Sequence, residues 1–302
     1  MAGKGREIKG RIKAVGNIQR ITKTMQMIAT ARFQAMQKRA TSAQAYTRKI
    51  AEIVGELSSS LGSEGSVAHP LLSPAEGASE KSLLLVITSS RGLCGAYNAN
   101  MLRRSTQFIR ERGIENLDIE AVGKKAVGFF KFTGVPLARF HSHFGETPKY
   151  EDVDALAERY MDAFTAGEYK SVHVAYTAFE SMSRQTPRII RLLPLESPTG
   201  DEGQPGTAAT SGGSSRNIEY DFSPDPEQLL ADLLPITVKT TLFQCFNEAV
   251  VSEQLARMVA MKAATDAAGK MKKSLQRSFN RARQNAITTE LTEIIGGTAA
   301  LE

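Results

Sequence analysis

The stretch Glu248–Thr289, EAVVSEQLARMVAMKAATDAAGKMKKSLQRSFNRARQNAITT, decides how the rest of this chain is read. It holds one glycine, Gly269, and no proline, and is otherwise rich in Ala, Met, Leu, Gln, Arg and Lys, all good helix formers. Upstream, Pro224-Asp225-Pro226 supplies a start, with Asp225 as the N-cap and Pro226 in the first turn, and Pro235 is the last proline of the chain. A helix of about 60 residues is roughly 90 Å long at about 1.5 Å per residue. That length belongs to a rod rather than to a compact domain.

The other end of the chain carries a matching pattern. Ile8, Ile12, Val15, Ile18, Ile21, Met25 and Ile28 recur at steps of three and four, continuing through Phe33, Met36, Ala40, Ala43, Tyr46, Ile50, Ile53, Leu57 and Leu61. An alternation held this long predicts a coiled-coil seam. Neither rod can stay alone in water. The economical arrangement pairs the two ends as an antiparallel coiled coil, each covering the other's apolar seam.

Between the rods the period changes. Gly62–Glu80 is a linker broken by Gly62, Gly65, Pro70, Pro74 and Gly77. Lys81–Ser90, Leu117–Val122, Val135–Phe140 and Ser171–Phe179 read as strands, and Asn98–Arg112, Lys124–Thr133 and Asp152–Gly167 as helices. The alternation predicts a parallel, three-layer α/β domain. Thr186–Leu195 and Asn217–Phe222 read as a further pair near an edge. Between them, fourteen of the twenty-one residues of Glu196–Arg216 are Gly, Ser, Thr or Pro, a flexible insertion.

Charge is as uneven as pattern. The net charge is +6, but residues 1–50 hold twelve Lys/Arg against Glu7, and residues 262–283 hold seven against Asp266. Positive charge at both ends predicts an anionic partner, either nucleic acid or a large acidic protein. Aromatic residues do not interleave with the basic ones and no DNA- or RNA-reading module is present. No apolar run is long enough to span a membrane, and the basic start Met1–Ile12 lacks the apolar core of a secretory signal. Cys94 and Cys245 read as two reduced thiols rather than a disulfide.

Catalytic chemistry is thin. There is no Walker-type phosphate loop. The turn Ser89–Asn98, SSRGLCGAYN, lies after a strand and before a helix, where Gly92 and Gly95 could present amides to an anion. The Rossmann triple is absent, and a structural turn outweighs a ligand site by about four to one. His141 and His143 share a strand face and could hold a metal, but a solvated pair is the stronger reading. Cys94 has no His or Asp beside it to make it a nucleophile.

Three segments are more specific. Ile12–Ile28 (IKAVGNIQRITKTMQMI) closely resembles the opening helix of the gamma subunit of bacterial F-type ATP synthases, and Ser252–Asp266 with Asn280–Ile294 resembles that family's C-terminal signature. The turn Ser89–Asn98 also matches, so the likeness covers essentially the whole chain. It implies an N-terminal coiled-coil helix over 1–61, a linker over 62–80, a Rossmann-like α/β domain over 81–222 with the insertion at 196–216, and a C-terminal coiled-coil helix over 223–302.

The resemblance further implies a non-catalytic rotor shaft. Such a shaft stands inside a ring of three alpha and three beta subunits, with a foot on the epsilon subunit and the membrane c-ring, and it needs no cofactor, nucleic acid or direct membrane insertion. Arg283 and Gln284 would meet a beta-subunit loop, with Thr288 and Glu290 in the same contact. Met25 would face the same region from the N-terminal helix, with Lys23 and Arg20 beside it, and the basic stretch Lys262–Arg283 would face acidic loops. Tyr220 would lie at the foot. The location implied is the cytoplasmic face of a bacterial inner membrane. The insertion departs from the family pattern and carries no cysteine, against the redox switch of chloroplast relatives. The lack of an extension before the first helix argues against an organellar precursor.

Overall fold

The computed structural model describes residues 2–60, 69–75, 77–145, 147–195 and 226–299. The expected strand Asn217–Phe222, the insertion Glu196–Arg216, the cap Asp225 and Tyr220 lie outside them. The element order is α1 (Ala2–Ser60), β1 (Ser82–Ile87), α2 (Tyr97–Arg112), a 3-10 turn (Ile114–Asn116), β2 (Leu117–Val122), α3 (Lys124–Thr133), β3 (Arg139–His141), α4 (Tyr150–Thr165), β4 (Ser171–Phe179), β5 (Gln185–Leu193) and α5 (Pro226–Ala299). The chain divides into two compact units, Met1–Ala31 with Arg257–Glu302, and Arg32–Ala256.

The larger unit is built on a five-stranded sheet of order β3-β2-β1-β4-β5. The first four strands are parallel, and β5 runs antiparallel along β4. β1 is buried along its whole length, as a central parallel strand must be. Its alternate side chains serve opposite layers. Leu84 and Val86 pack with Met101, Leu102 and Ile109 of α2 and with Ala126 and Phe130 of α3. Leu83, Leu85 and Ile87 pack with Val153, Tyr160 and Phe164 of α4 and with Leu242, Cys245 and Phe246 of α5. The unit is therefore the three-layer α/β domain expected, with the 226–256 part of α5 inside one of its layers.

Side chains lock that part of α5 to the sheet. Tyr97 Oη donates to the Ala249 carbonyl at 3.1 Å, and Ser252 Oγ donates to the Thr177 carbonyl at 3.1 Å. Phe33 of α1 meets Phe179 edge-on at 6.0 Å, and Arg39 lies 5.6 Å from the Phe243 ring. The third strand is shorter than the apolar run Val135–Phe140 suggests. Pro136 has no N–H to give a ladder, and the Val135 amide turns back to the Phe130 carbonyl at 3.0 Å, so pairing begins only at Arg139.

Candidate functional site

In the smaller unit the 2–31 part of α1 and the 257–299 part of α5 pack antiparallel. The hydroxyls of Thr22 and Thr265 lie 2.8 Å apart, and a Cβ on Gly269 would stand 3.1 Å from Gln19 Nε2. Moving up α1 from 19 to 22 thus moves down α5 from 269 to 265.

The seam does not follow the large apolar residues. Val15, Thr22 and Ala29 are buried at steps of seven, whereas Ile18, Ile21 and Ile28, expected inside, are 52%, 59% and 50% exposed. On α5 the covered line runs through Met261, Thr265, Ala268, Leu275, Phe279, Ala282, Ala286 and Thr289, while Val259, Met271, Ile287, Leu291, Ile294 and Ile295 are exposed. The reason is size. Thr, Ala and Gly on the facing sides bring the backbones close, and a strict 3.5-residue repeat centred on them rotates the isoleucines outward. Of the expected alternation, Val15 is buried and Ile8, Ile12 and Met25 are half-buried, whereas Ile18, Ile21 and Ile28 are turned outward.

Of the expected contact residues among those described, all but Met25 are exposed. Arg283, Gln284, Thr288 and Glu290 are exposed, with Thr288 Oγ1 donating back to the Gln284 carbonyl at 3.0 Å. Arg20 and Lys23 are exposed and Met25 is half-buried; Arg20 Nη2 donates to Asn17 Oδ1 at 2.9 Å. The two groups do not come together. With Thr22 opposite Thr265, the 18 residues on to Arg283 represent roughly 27 Å of helix, in the direction away from Met25. The expectation that Met25 faces the region of Arg283 is corrected by this register.

In the α/β domain the expected turn and the histidines take up structural contacts. The turn Ser89–Asn98 spends its polar groups on itself. Ser89 N–H donates to Asn98 Oδ1 at 3.0 Å, Ser89 Oγ donates to the Arg91 carbonyl, and Asn98 Nδ2 reaches Cys94 Sγ at 3.1 Å. Gly95 takes φ +56°, and Leu93, with φ +64°, is held in a conformation that disfavours its side chain and leaves it exposed. Both cysteines are free and buried, and burial pushes the Cys245 thiol well up. No group of three or more His, Cys, Asp or Glu able to hold a metal lies among the described residues.

The histidine reading is also corrected. His141 is not solvated but buried, with Nε2 2.7 Å from Glu120 Oε2. The same oxygen accepts from Arg159 Nη2 at 2.5 Å and Tyr160 Oη at 2.8 Å. Burial pushes the Glu120 carboxyl up, but the bonds from His141, Arg159 and Tyr160 outweigh it and bring it to about 2. An ionised carboxylate only accepts, so His141 Nε2 carries the proton in this contact. The cluster ties β2, β3 and α4 together. Its sequence signal was Glu120, the second of two carboxylates in the strand LDIEAV and the one set between Ile119 and Ala121.

Residues 4–301 match the sequence profile of the ATP synthase family. The chain is 43% identical over 299 residues to the ATP synthase gamma chain of Rhodopirellula baltica, covering 98% of each chain. It is 37% identical over 297 residues to that of Desulforamulus reducens, covering 98% of this chain and 99% of the relative. Among solved structures, a chain of the Euglena gracilis mitochondrial ATP synthase aligns with a TM-score of 0.66 at 19% identity, over 100% of this chain and 95% of that one, a likeness of fold. A chain of the Euglena rotor in another rotational state gives 0.61 at 16% identity, over 95% of this chain and 100% of that one. With a full-length profile match and full-length relatives at this identity, the chain belongs to the ATP synthase gamma-chain family.

Proposed function

We propose that this chain is the central rotor shaft of an F-type ATP synthase. It couples rotation of a membrane c-ring, driven by protons, to the binding and release states of catalytic beta subunits, and is itself non-catalytic. The observation that carries the reading is the paired rod, whose seam mixes Thr22, Ala29, Thr265 and Ala268 with Val15, Met261, Leu275 and Phe279, and which turns Ile18, Ile21, Ile28, Ile287, Leu291, Ile294 and Ile295 outward. Large apolar side chains repeated along an exposed rod need a collar of other subunits. Such a rod, asymmetric around its axis, biases whichever neighbour each face meets, and coupling is then mechanical.

In this reading, three alpha and three beta subunits form the collar and the epsilon subunit and c-ring meet the foot, where Tyr220 belongs. Arg283, Gln284, Thr288 and Glu290 make one contact with a beta-subunit loop, and Met25, Lys23 and Arg20 make a second one lower on the rod. No helix among the described residues is long and apolar enough to cross a membrane. The chain is then held peripherally, on the cytoplasmic face of a bacterial inner membrane.

The test is assembly with alpha and beta subunits, followed by single-molecule observation of a bead attached through a cysteine placed at the exposed Lys131. The two native thiols are buried, so the new one labels selectively. Stepwise, ATP-driven rotation of the bead is expected. A complex that hydrolyses ATP while the bead stays still overturns the reading.

A further inference from the structure

The α/β domain carries one surface that its own packing leaves unexplained. A groove of about 770 Å³ runs between α2 and α3, floored by Ala99, Leu102 and Phe129 and edged by Arg103, Arg110 and Lys125. The one carboxylate on its edge, Glu111, already accepts from Gln107 Nε2 at 2.8 Å. None of the three cations forms an ion pair among the described residues. Cations left unneutralised around an apolar floor call for an anionic occupant with an apolar face.

A second observation is independent of charge. Lys125, Gly128, Phe129 and Phe132 share one face of α3 at the i, i+3, i+4, i+7 spacing. Gly128 stands inside the helix, where glycine disfavours the helical state, yet a Cβ there would meet nothing within 4 Å. The fold itself therefore gives it no reason to be glycine. One turn on, Phe132 is 89% exposed. A small residue between exposed aromatic and basic ones is the profile of a face that another helix approaches closely.

We infer that the α2–α3 face docks an acidic amphipathic helix of a partner protein, its apolar side on Leu102, Phe129 and Phe132 and its carboxylates on Arg103, Arg110 and Lys125. Close approach occurs over Gly128. The surface shares no residue with the rod contacts proposed above.

The full-length chain is titrated by fluorescence anisotropy with three labelled synthetic peptides of about 20 residues. One is a helix with Leu at the i, i+3, i+4, i+7 positions and Glu elsewhere, the second has Lys in place of Glu, and the third has the first composition scrambled so that no apolar face forms. Binding of the first alone is expected, weakened at least tenfold by Gly128→Leu and by the Arg103→Glu/Lys125→Glu pair, and diminished by salt. Gly128→Leu is chosen because its side chain enters open space, and an unchanged circular dichroism spectrum with a melting temperature no lower than the parent's checks that the chain is intact. Equal binding of the scrambled peptide, or insensitivity to Gly128→Leu, overturns the inference, as does no binding of the first peptide.

Discussion

Thr22 and Thr265, 243 residues apart in the chain, bring their hydroxyls to 2.8 Å inside the seam of the rod. A polar pair there sets register, since any slip would leave a hydroxyl facing apolar atoms. Each hydroxyl also has a local partner, Thr22 on the Gln19 carbonyl at 3.1 Å and Thr265 on the Met261 carbonyl at 2.8 Å. Thr22→Val alone is expected to cost about 0.5–1 kcal/mol, and the double change with Thr265→Val less than the sum of the singles. A double-mutant cycle from denaturant melts of the rod measures the coupling. Strict additivity would mean the pair contributes nothing.

Two glycines of the α/β domain differ sharply in what surrounds them. Gly123 has φ +90°, and a Cβ there would lie 2.2 Å from the Thr88 carbonyl oxygen, so Gly123→Ala is expected to cost more than about 2 kcal/mol. Gly128 has helical backbone and open space, so Gly128→Ala is expected to stabilise the chain by about 0.5–1 kcal/mol. Thermal unfolding of the two variants side by side should move in opposite directions.

Gly269 is a third case, facing the Gln19 side chain across the rod. Gly269→Leu places a bulky side chain against Gln19, which must shift to make room, and is expected to cost about 1–3 kcal/mol. Gly16→Ala on the partner helix meets nothing within 4 Å and should stabilise by about 0.5–1 kcal/mol. If Gly269→Leu melts no lower than the parent chain, the pairing described for the seam is wrong.

Acid should unfold the α/β domain in two stages. Burial, aided by Arg112 and Arg191, holds His173 down to about 4, so the folded state binds fewer protons than the unfolded one between about 6.5 and 4 and loses stability as pH falls through that window. Glu120, held at about 2 against an ordinary value near 4.5, retains its contribution until pH drops below about 4.5 and loses it towards 2. His173→Phe should flatten the upper stage, and Glu120→Gln the lower, in urea melts taken across pH. An unchanged upper stage in His173→Phe would assign it to another group.

Arg283 and Gln284 are exposed and off the seam, so Arg283→Ala and Gln284→Ala should leave the melting of the chain within about 0.5 kcal/mol of the parent. In the assembled complex the same changes are expected to lower ATP-driven proton pumping more than ATP hydrolysis. Normal coupling in both variants would remove these residues from the proposed beta-subunit contact.

Much of the architecture was legible in the chain because it is written in local signals. Helix-forming composition without breakers marked α5, continuous apolar runs marked β1 and β4, and the glycine after α3 marked its end; these depend on neighbours in sequence. Which stripe of the rod faces its partner was not legible. Ile18, Ile21 and Ile28 satisfy a coiled-coil alternation as well as Val15, Thr22 and Ala29 do, and only the close packing of Thr22 on Thr265 and Gln19 on Gly269 chooses between them. The same holds for Glu120 and His141, 21 residues apart and joined only when β2 and β3 pair, and for the separation of Met25 from Arg283, which a register alone can set. Periodicity fixes what each segment becomes. Burial, register and the pairing of polar groups are decided between segments, because they depend on atoms that meet only when the chain is folded.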